Sequence, residues 1–166
     1  MGGATTHCYL IALGSNQRHV RYGRPEAILC AAIKAAGDAG MDVIEVASTV
    51  NSRPLGPSLR TYANAAMVVA SDAEPPAMLA SLQSIEAEFG RSRQGQRWRS
   101  RTLDLDIVLW SGGSFSAPEL TIPHPRFRER GFVLGPSARI AAGWRDPVTG
   151  LSLRHLLARL RRPRPA

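Results

Sequence analysis

Two acidic residues, Asp104 and Asp106, stand two positions apart in an alternating stretch of the chain. Residues two apart on a β-strand share a face, so the spacing predicts two carboxylates on one side, opposite Leu105 and Ile107. Such a pair is costly without a cation, and Mg²⁺ prefers one or two carboxylates together with waters and substrate phosphates. The spacing therefore indicates a nucleotide-dependent magnesium site. A salt-bridged pair on a solvated sheet face, satisfied by Arg101, is the alternative that spacing alone leaves open.

The segment just before these carboxylates is rich in arginine. Residues 91–101 contain five arginines and show no periodic apolar pattern. Guanidinium groups are suited to closing over a triphosphate and to stabilising charge that builds on a transferred group. Trp98 in this segment could stack on a flat heterocycle or anchor the loop, and the two roles are compatible. The arginines that we expect near phosphates are Arg91, Arg93, Arg97 and Arg101.

A polar stripe precedes the arginines on a predicted helix. Leu79, Gln83 and Glu86 recur at helical spacing beside the apolar face of that helix. The flank of the helix could meet a base and a ribose while the following loop meets phosphates. Gln83 and Glu86 are also ordinary surface helix formers, and helix propensity taken alone favours that interpretation.

Apolar periodicity and turn residues predict the elements that position these groups. We expect strands at residues 8–13, 41–50, 63–70 and 103–110, and helices at 25–39 and 76–89. Residues 51–61 are expected to form an ordered loop, and Gly90 to end the second helix. The resulting β-α-β-β-α-β order is ferredoxin-like, an α+β fold with an antiparallel sheet backed by helices. A short edge strand at 119–122 and helices at 132–142 and 151–162 should follow.

Length and composition favour one globular domain over residues 1–166, with an ordered core at about 7–160. The excess of 21 basic over 13 acidic residues gives a net charge of +8, which favours anionic ligands. Cys8 and Cys30 are expected to be buried free thiols, as in a reducing compartment. No run approaches the roughly 18 apolar residues of a membrane span, and we expect a cytoplasmic protein.

The motifs taken together resemble the 6-hydroxymethyl-7,8-dihydropterin pyrophosphokinases. Each motif is weak by itself, but so many in one order make a chance resemblance improbable. The resemblance runs from about Tyr9 to about Ile140. Its motifs are Gly14-Ser15-Asn16, Pro54-Leu55-Gly56-Pro57, Tyr62-Ala63-Asn64-Ala65, Ile85-Glu86, Gly90-Arg91-Ser92-Arg93, Arg97-Trp98, Arg101-Thr102-Leu103-Asp104-Leu105-Asp106, Pro123-His124-Pro125-Arg126 and Arg130-Gly131-Phe132-Val133-Leu134.

The resemblance implies a role for each matched residue. Asp104 and Asp106 would bind two Mg²⁺ ions that bridge the phosphates of ATP, and with Arg91, Arg93 and Arg101 they form the expected catalytic set. The residues expected around adenine and ribose are Leu79, Gln83, Glu86, Ile107 and Thr121. Those expected near the phosphates are Arg91, Arg93, Arg97, Trp98, Arg101, His124 and Arg130. The pterin is expected between Trp98 and Phe132 and next to Asp104, with Asn64 reading its amide edge and Ser52, Pro54, Leu55, Gly56 and Tyr62 shaping the pocket.

The implied activity is transfer of the β,γ-pyrophosphate of ATP to the pterin hydroxymethyl group, with release of AMP, in folate biosynthesis. The expected partners are ATP and a reduced pterin, without nucleic acid or membrane. We expect a monomer, with other folate-pathway enzymes as candidate neighbours. Two alternatives stay open: a basic ferredoxin-like module that binds nucleic acid, and a related enzyme that acts on another pterin.

Overall fold

The computed structural model of the chain describes residues 3–52, 61–90 and 102–165. Its strands and helices follow in the order β1 (His7–Ser15), α1 (Pro25–Asp38), β2 (Asp42–Val46), β3 (Val50–Ser52), β4 (Tyr62–Ser71), α2 (Pro75–Glu88), β5 (Asp104–Trp110), β6 (Phe115–Ala117), β7 (Leu120–Ile122), a short 3-10 helix (Phe127–Glu129), α3 (Gly131–Ala141) and α4 (Leu153–Arg161). Within these residues no helix is both long and apolar enough to cross a bilayer.

The main sheet is antiparallel throughout. Its strands lie in the order β2-β4-β1-β5, and β3 pairs with another part of β4. β1 and β4 are therefore central, and β5 forms one edge. The arrangement is the predicted ferredoxin-like fold, with α3 and α4 added after β5. β6 and β7 form a separate hairpin.

Both faces of the main sheet are covered. Ile11 and Leu13 of β1 pack in a first core with residues of α1 and α2, among them Ile28, Leu29, Met78 and Leu82. Leu10 and Ala12 pack in a second core with residues of α3 and α4, namely Leu134, Ala141, Leu153 and Leu156. Each fully buried leucine or isoleucine contributes about 1.5–3 kcal/mol, so the two cores hold the sheet between two helical layers.

The strand predicted at residues 41–50 is divided into β2 and β3, and the loop predicted at 51–61 begins inside β3. Both strands pair with β4, but residues 47–49 lie opposite only Ala65 and Ala66. A second irregularity falls between Val43 and Glu45. Each extra residue bends the strand and breaks the ladder, which an apolar pattern does not reveal. The other predicted elements are present, with boundaries that differ by one or two residues.

The prediction for the two cysteines is only half right. Both thiols are free, but Cys30 is exposed and Cys8 is partly exposed. Cys30 lies on the outer side of α1, because Ile28, Leu29 and Ala32 turn the other side of the helix to the first core. An alanine-rich helix has a weak apolar stripe, so the sequence did not distinguish its two sides.

One buried ion pair ties the C-terminal layer together. Asp146 is fully buried and accepts two hydrogen bonds from Arg128, at 2.6 Å to Nε and 2.8 Å to Nη2. It also accepts from the Thr149 hydroxyl at 2.7 Å and the Val148 amide at 3.0 Å. Burial alone would raise the pKa of this carboxyl, but these hydrogen bonds and the charge of Arg128 lower it from 3.8 to about 2.

Replacing Asp146 with asparagine should therefore destabilise the protein in a pH-dependent way. The depressed pKa corresponds to about 2 kcal/mol, present above the ordinary carboxyl pKa and lost as the pH falls from about 4 to about 2. We expect the difference in unfolding free energy between D146N and the parent to be largest near neutral pH and to shrink over that acidic range. Urea denaturation at pH 7 and pH 3 measures it. If the unfolding free energies of D146N and the parent differ by the same amount at pH 7 and at pH 3, the pKa of Asp146 is not lowered in the folded protein.

Candidate functional site

The carboxylates of β5 lie as their spacing predicted. Asp104 is partly exposed and Asp106 is exposed, whereas Leu105 and Ile107 are each 4% exposed and belong to the first core. Asp106 pairs with Ala12 of β1 and Asp104 pairs with Gly14. Because directly opposed residues of antiparallel strands share a face, both carboxylates lie on the face that carries the second core.

A row of three residues crosses the sheet beside these carboxylates. Gly14 of β1 pairs with Asp104 on one side and with Asn64 of β4 on the other. In the next row, Ala12 lies between Asp106 and Ala66. Gly14 and Ala12 of the central strand β1 therefore have little or no side chain. They lie between Asn64 of β4 on one side and the carboxylates of β5 on the other. This gives a polar cleft with a floor of glycine and alanine.

Sequence reasoning missed this floor, because it ended the predicted strand at residue 13, whereas β1 extends through Gly14 to Ser15. A signal is present in β1 nonetheless. Large apolar residues fall on one face, at Ile11 and Leu13, while the other face carries Ala12 and Gly14. Small residues at alternate positions of a central strand indicate a place where another group approaches the backbone closely.

Asn64 is held in a fixed orientation at one side of the cleft. Its side chain is buried, at 4% exposure, and its Nδ2 donates to the Ser52 hydroxyl at 2.7 Å and the Tyr62 carbonyl at 3.4 Å. A Cβ atom added to Gly14 would lie 3.6 Å from Oδ1 of Asn64, so this oxygen faces the row. The structure thus brings together Ser52, Tyr62 and Asn64, three of the five described residues that were expected at the pterin pocket.

His124 and Arg130 flank the short 3-10 helix, and Phe132 lies in the first turn of α3. The His124 amide donates to the Val108 carbonyl of β5 at 3.0 Å. Burial lowers the pKa of His124, the Asp106 carboxylate opposes this, and Arg130 and Arg126 lower the pKa further. These interactions place the imidazole near both a carboxylate and a guanidinium. The Arg130 guanidinium also lies over the Phe132 ring, 5.8 Å from its centre.

The residues expected around adenine form a separate group. Glu86 is 2% exposed on α2, Gln83 and Leu79 are partly exposed, and Leu79 packs against the first core. Ile107 belongs to the same core, and Thr121 is exposed on β7 between buried neighbours. The α2 residues and Ile107 therefore lie at the first-core side of β5, whereas the carboxylates lie at the other and Thr121 points away from the first core. A single nucleotide that reaches both must cross the outer edge of β5.

Several predicted residues lie outside the described part of the chain. They are Pro54, Leu55, Gly56, Arg91, Arg93, Arg97, Trp98 and Arg101. Their assignments stay predictions. The described chain stops at Gly90, which ends α2 with a positive φ of 84°, and resumes at Thr102 beside Asp104. Along the sequence, the arginines therefore lie between α2, which carries Gln83 and Glu86, and the carboxylates of β5.

The donor set suits magnesium better than a transition metal. Asp104 and Asp106 supply carboxylate oxygens over a floor that leaves room for other ligands. Within residues 3–52, 61–90 and 102–165 no group of three or more His, Cys, Asp and Glu is arranged to hold a metal ion. Zinc sites usually need three or four such ligands, whereas magnesium accepts one or two carboxylates with waters and phosphates.

A further cavity, of about 420 Å³, lies beside the β6–β7 hairpin. Its lining includes Phe115, Ile122, Pro123 and Arg128, and of the predicted site residues only Thr121. It contains neither carboxylate, so it is separate from the polar cleft.

Comparisons with known proteins agree with the resemblance seen in the sequence. Residues 10–142 match the family described as 7,8-dihydro-6-hydroxymethylpterin-pyrophosphokinase (HPPK). A 2-amino-4-hydroxy-6-hydroxymethyldihydropteridine pyrophosphokinase of Synechocystis sp. is 36% identical over 91% of this chain and 75% of its own length. The protein of the same name from Methylorubrum extorquens is 34% identical over 93% of this chain and 94% of its own length.

Solved structures show the same fold. The wild-type HPPK-DHPS of Plasmodium falciparum crystallised with STZ-DHP superimposes with a TM-score of 0.72 over 93% of this chain, at 12% identity. This chain spans only 43% of that longer chain. At such low identity the superposition shows a shared fold and nothing further. The activity is supported instead by the relatives of similar sequence named above.

Proposed function

We propose that this chain, which belongs to the 7,8-dihydro-6-hydroxymethylpterin-pyrophosphokinase (HPPK) family, transfers the β,γ-pyrophosphate of ATP to the hydroxymethyl group of 6-hydroxymethyl-7,8-dihydropterin and releases AMP. The reaction belongs to folate biosynthesis. The observation that carries the proposal is the row Asn64, Gly14 and Asp104, with Asp106 in the next row. It places an amide that can read a pterin within one cleft with two carboxylates that can hold magnesium.

Asp104 and Asp106 would hold two magnesium ions, which neutralise phosphate charge when bound. Each carboxylate lies opposite a small residue of β1, Asp104 opposite Gly14 and Asp106 opposite Ala12. His124 interacts electrostatically with both Asp106 and Arg130, and we assign His124 and Arg130 to the phosphates. We assign Arg91, Arg93, Arg97 and Arg101 to the transferred group on the resemblance alone.

The transfer is an in-line displacement. The pterin hydroxymethyl oxygen forms a bond to the β-phosphorus while the bond from that phosphorus to the α–β bridging oxygen breaks. The bridging oxygen leaves with its electron pair as part of AMP. The hydroxyl proton passes to the Asp104 carboxylate, the acidic group nearest the pterin side of the cleft in this assignment. Positioning supplies most of the acceleration, because the attacking oxygen must be held in line with the leaving oxygen.

The pterin would lie between Phe132 and Trp98, with its amide edge at Asn64. The Nδ2 of Asn64 is already directed to Ser52, so Oδ1 is presented to the cleft as an acceptor for a ring N–H. Ser52 and Tyr62 support this orientation. Phe132 lies at the start of α3, and one face of its ring is near the Arg130 guanidinium.

Replacing Phe132 with alanine should weaken pterin binding. Stacking on one aromatic face contributes about 1 kcal/mol beyond burial, so the KM for the pterin should rise by roughly tenfold. The KM for ATP should change little. Initial rates of AMP release at varied pterin measure this, with Phe132→Tyr as the matched control that keeps the ring. A normal KM for the pterin in Phe132→Ala would remove Phe132 from the pocket.

The adenine and ribose would lie against Leu79, Gln83, Glu86, Ile107 and Thr121. The placement of the α2 residues and Ile107 at the first-core side of β5 supports a nucleotide that bends over the strand edge to reach Asp106. Strand β5 is a free edge of the main sheet along part of its length, so backbone groups there can recognise a base. This would explain how the short strand β5 contributes both to the adenine site on one of its sides and to the phosphate site on the other.

The alternative of a nucleic-acid-binding module is not favoured. Such ferredoxin-like modules stack bases on aromatic residues of an open sheet face. Both faces of this sheet are packed against helices, and the face that carries Asp104 is covered in part by α3 and α4. A related enzyme with another pterin is a narrower alternative, since Asp104, at the reacting hydroxyl, is the one residue that we assign to the side group of the pterin.

The proposed setting is a cytoplasmic monomer. The two free cysteines support a reducing compartment. At the outer edge of the sheet, β2 is short, carries Asp42 and Glu45 and contains a register shift, which are features that oppose pairing with another chain. Other folate-pathway enzymes are candidate neighbours.

The function is tested by incubating the purified protein with ATP, Mg²⁺ and 6-hydroxymethyl-7,8-dihydropterin and measuring AMP. We expect AMP only when all three are present. AMP release with a different reduced pterin but not with this one would support the narrower alternative. Absence of AMP with every pterin, although ATP binds, would overturn the proposal.

A further inference from the structure

We propose that Asp146 is a positioning residue for the phosphate side of the site, acting through Arg128 on residues 124–130. This inference rests on the proposed function, because it assigns His124 and Arg130 to the phosphates of ATP. Asp146 itself lies outside the cleft, in the turn before α4. No motif of the sequence drew attention to either partner of the pair.

The 124–130 segment is held firmly at its two ends. At its start, the His124 amide donates to the Val108 carbonyl of β5 at 3.0 Å. At its end, the Arg130 carbonyl accepts from the amides of Val133 and Leu134, at 3.0 and 2.9 Å, in the first turn of α3. The two proposed phosphate ligands are therefore the two residues at which the segment joins regular structure.

In the middle of the segment the backbone-to-backbone hydrogen bonds are long, whereas the Arg126 amide donates to Nδ1 of the His124 side chain at 3.1 Å. The backbone bonds, from Phe127 to His124, Glu129 to Arg126 and Arg130 to Phe127, are 3.3, 3.3 and 3.4 Å long. These lengths lie beyond the usual range for N–H···O bonds. The segment must be fixed by its side chains, and two of them provide this: Phe127 is fully buried in the second core, and Arg128 is bonded to Asp146.

The Arg128–Asp146 pair is well suited to fix a position. Two parallel hydrogen bonds define the orientation of a guanidinium more strictly than one. The Arg128 guanidinium also lies over the Phe127 ring, 4.7 Å from its centre, so the two anchors support each other. Arg128 is followed by Glu129 and then by Arg130, so a shift of its backbone moves the phosphate ligand directly.

The support on the Asp146 side is itself rigid. The Asp146 amide donates to the Leu151 carbonyl at 2.9 Å, and the Gly150 amide donates back to the Asp146 carbonyl at 2.8 Å. The Leu153 amide donates to the Trp144 carbonyl at 2.9 Å, which joins this turn to the start of α4. Arg128 is therefore bonded to a closed turn that packs on the second core through Leu153.

The first test is the kinetics of Asp146→Asn at a temperature well below its melting point. The variant keeps the volume of the side chain but loses the charge. We expect the KM for ATP to rise by about tenfold, because ligand groups misplaced by a fraction of an ångström bind poorly. The KM for the pterin should change less than the KM for ATP, since Asn64 lies on β4 and is held by Ser52 and Tyr62 rather than by the 124–130 segment. Arg128→Lys, which keeps the charge and one hydrogen bond, should give an intermediate KM for ATP.

A matched control separates positioning from general instability. At the far end of β1, His7 contacts Glu74 at 3.0 Å and accepts from Trp110 at 3.2 Å. His7→Ala removes a buried polar contact and should lower the melting temperature without altering the KM for ATP. If His7→Ala raises the KM for ATP as much as Asp146→Asn does at a comparable loss of stability, the proposal is overturned. An unchanged KM for ATP in both Asp146→Asn and Arg128→Lys also overturns it.

A measurement without turnover keeps the inference apart from the proposed activity. In amide NMR spectra of the protein without nucleotide, Asp146→Asn should shift the resonances of residues 124–130 strongly, and His7→Ala should not. This result would stand even if the enzyme released no AMP from the pterin tested. Spectra in which the 124–130 amides keep their shifts in Asp146→Asn would refute the positioning role.

Discussion

Asp106→Asn is expected to reduce AMP release by about a thousandfold or more while leaving the thermal melting of the protein unchanged. The carboxylate is exposed on β5, so it contributes little to packing. Its proposed task is to hold magnesium against the phosphates, and an amide oxygen without charge is a much weaker ligand for that ion. Asp104→Ala should abolish turnover as well, because it removes both a metal ligand and the proposed proton acceptor.

The design of this experiment depends on a control in the same sheet. Asp42 is an exposed aspartate on β2, at the far edge from β5, so Asp42→Asn repeats the chemical change away from the cleft. We expect Asp42→Asn to retain full activity. The apparent affinity for magnesium should also fall in Asp106→Asn, as measured by the Mg²⁺ concentration needed for half-maximal residual rate. A folded Asp106→Asn variant with normal turnover would show that the carboxylates are not metal ligands.

The carboxylate face of β5 was predictable because it depends on local geometry alone. Alternation along a strand places Asp104 and Asp106 together whatever the rest of the chain does. The same holds for α2, whose apolar spacing at Met78, Leu82 and Ile85 fixed its buried side. The order of these elements then restricted the topology to few arrangements.

Features that depend on contacts between distant elements were not predictable. The break between β2 and β3 results from extra residues relative to β4. The apolar run does not indicate with which residues of the neighbouring strand it pairs. The row through Gly14 likewise needs the register of three strands. Arg128 and Asp146 are 18 residues apart in an otherwise basic C-terminal region, where any arginine could have been the partner.

The position of the adenine group is the clearest gain from the structure. The sequence predicted that Gln83 and Glu86, on one helical stripe, and Asp106, on a strand, bind the same nucleotide, but it did not predict how the two groups are placed in space. In the fold they lie at different sides of β5. In the proposed function, a nucleotide that spans them would be held at its base by the first helical layer and at its phosphates by the opposite side of the sheet. Pyrophosphate transfer suits this geometry, because AMP leaves on the side that binds the base while the pterin keeps the transferred group.

Gly14 provides the most direct test of the cleft itself. It has no positive φ, so its conformation is accessible to any residue. An added Cβ atom would meet only Oδ1 of Asn64, at 3.6 Å, which is an ordinary contact. Among residues 3–52, 61–90 and 102–165, none demands a glycine here. We propose that the small residue leaves room for the ligand of the cleft.

We expect Gly14→Val to fold and to lose about a hundredfold or more in kcat/KM for the pterin, since its branched side chain would fill the space between Asn64 and Asp104. Gly14→Ala should show a smaller loss, because one methyl group blocks less of the floor. Cys8→Val, at the other end of the same strand, is the control for a branched residue in β1. Initial rates at varied pterin, together with thermal melting, give the result. If Gly14→Val melts normally and retains its kcat/KM, the pterin does not bind above this row, and Asn64 is not its recognition residue.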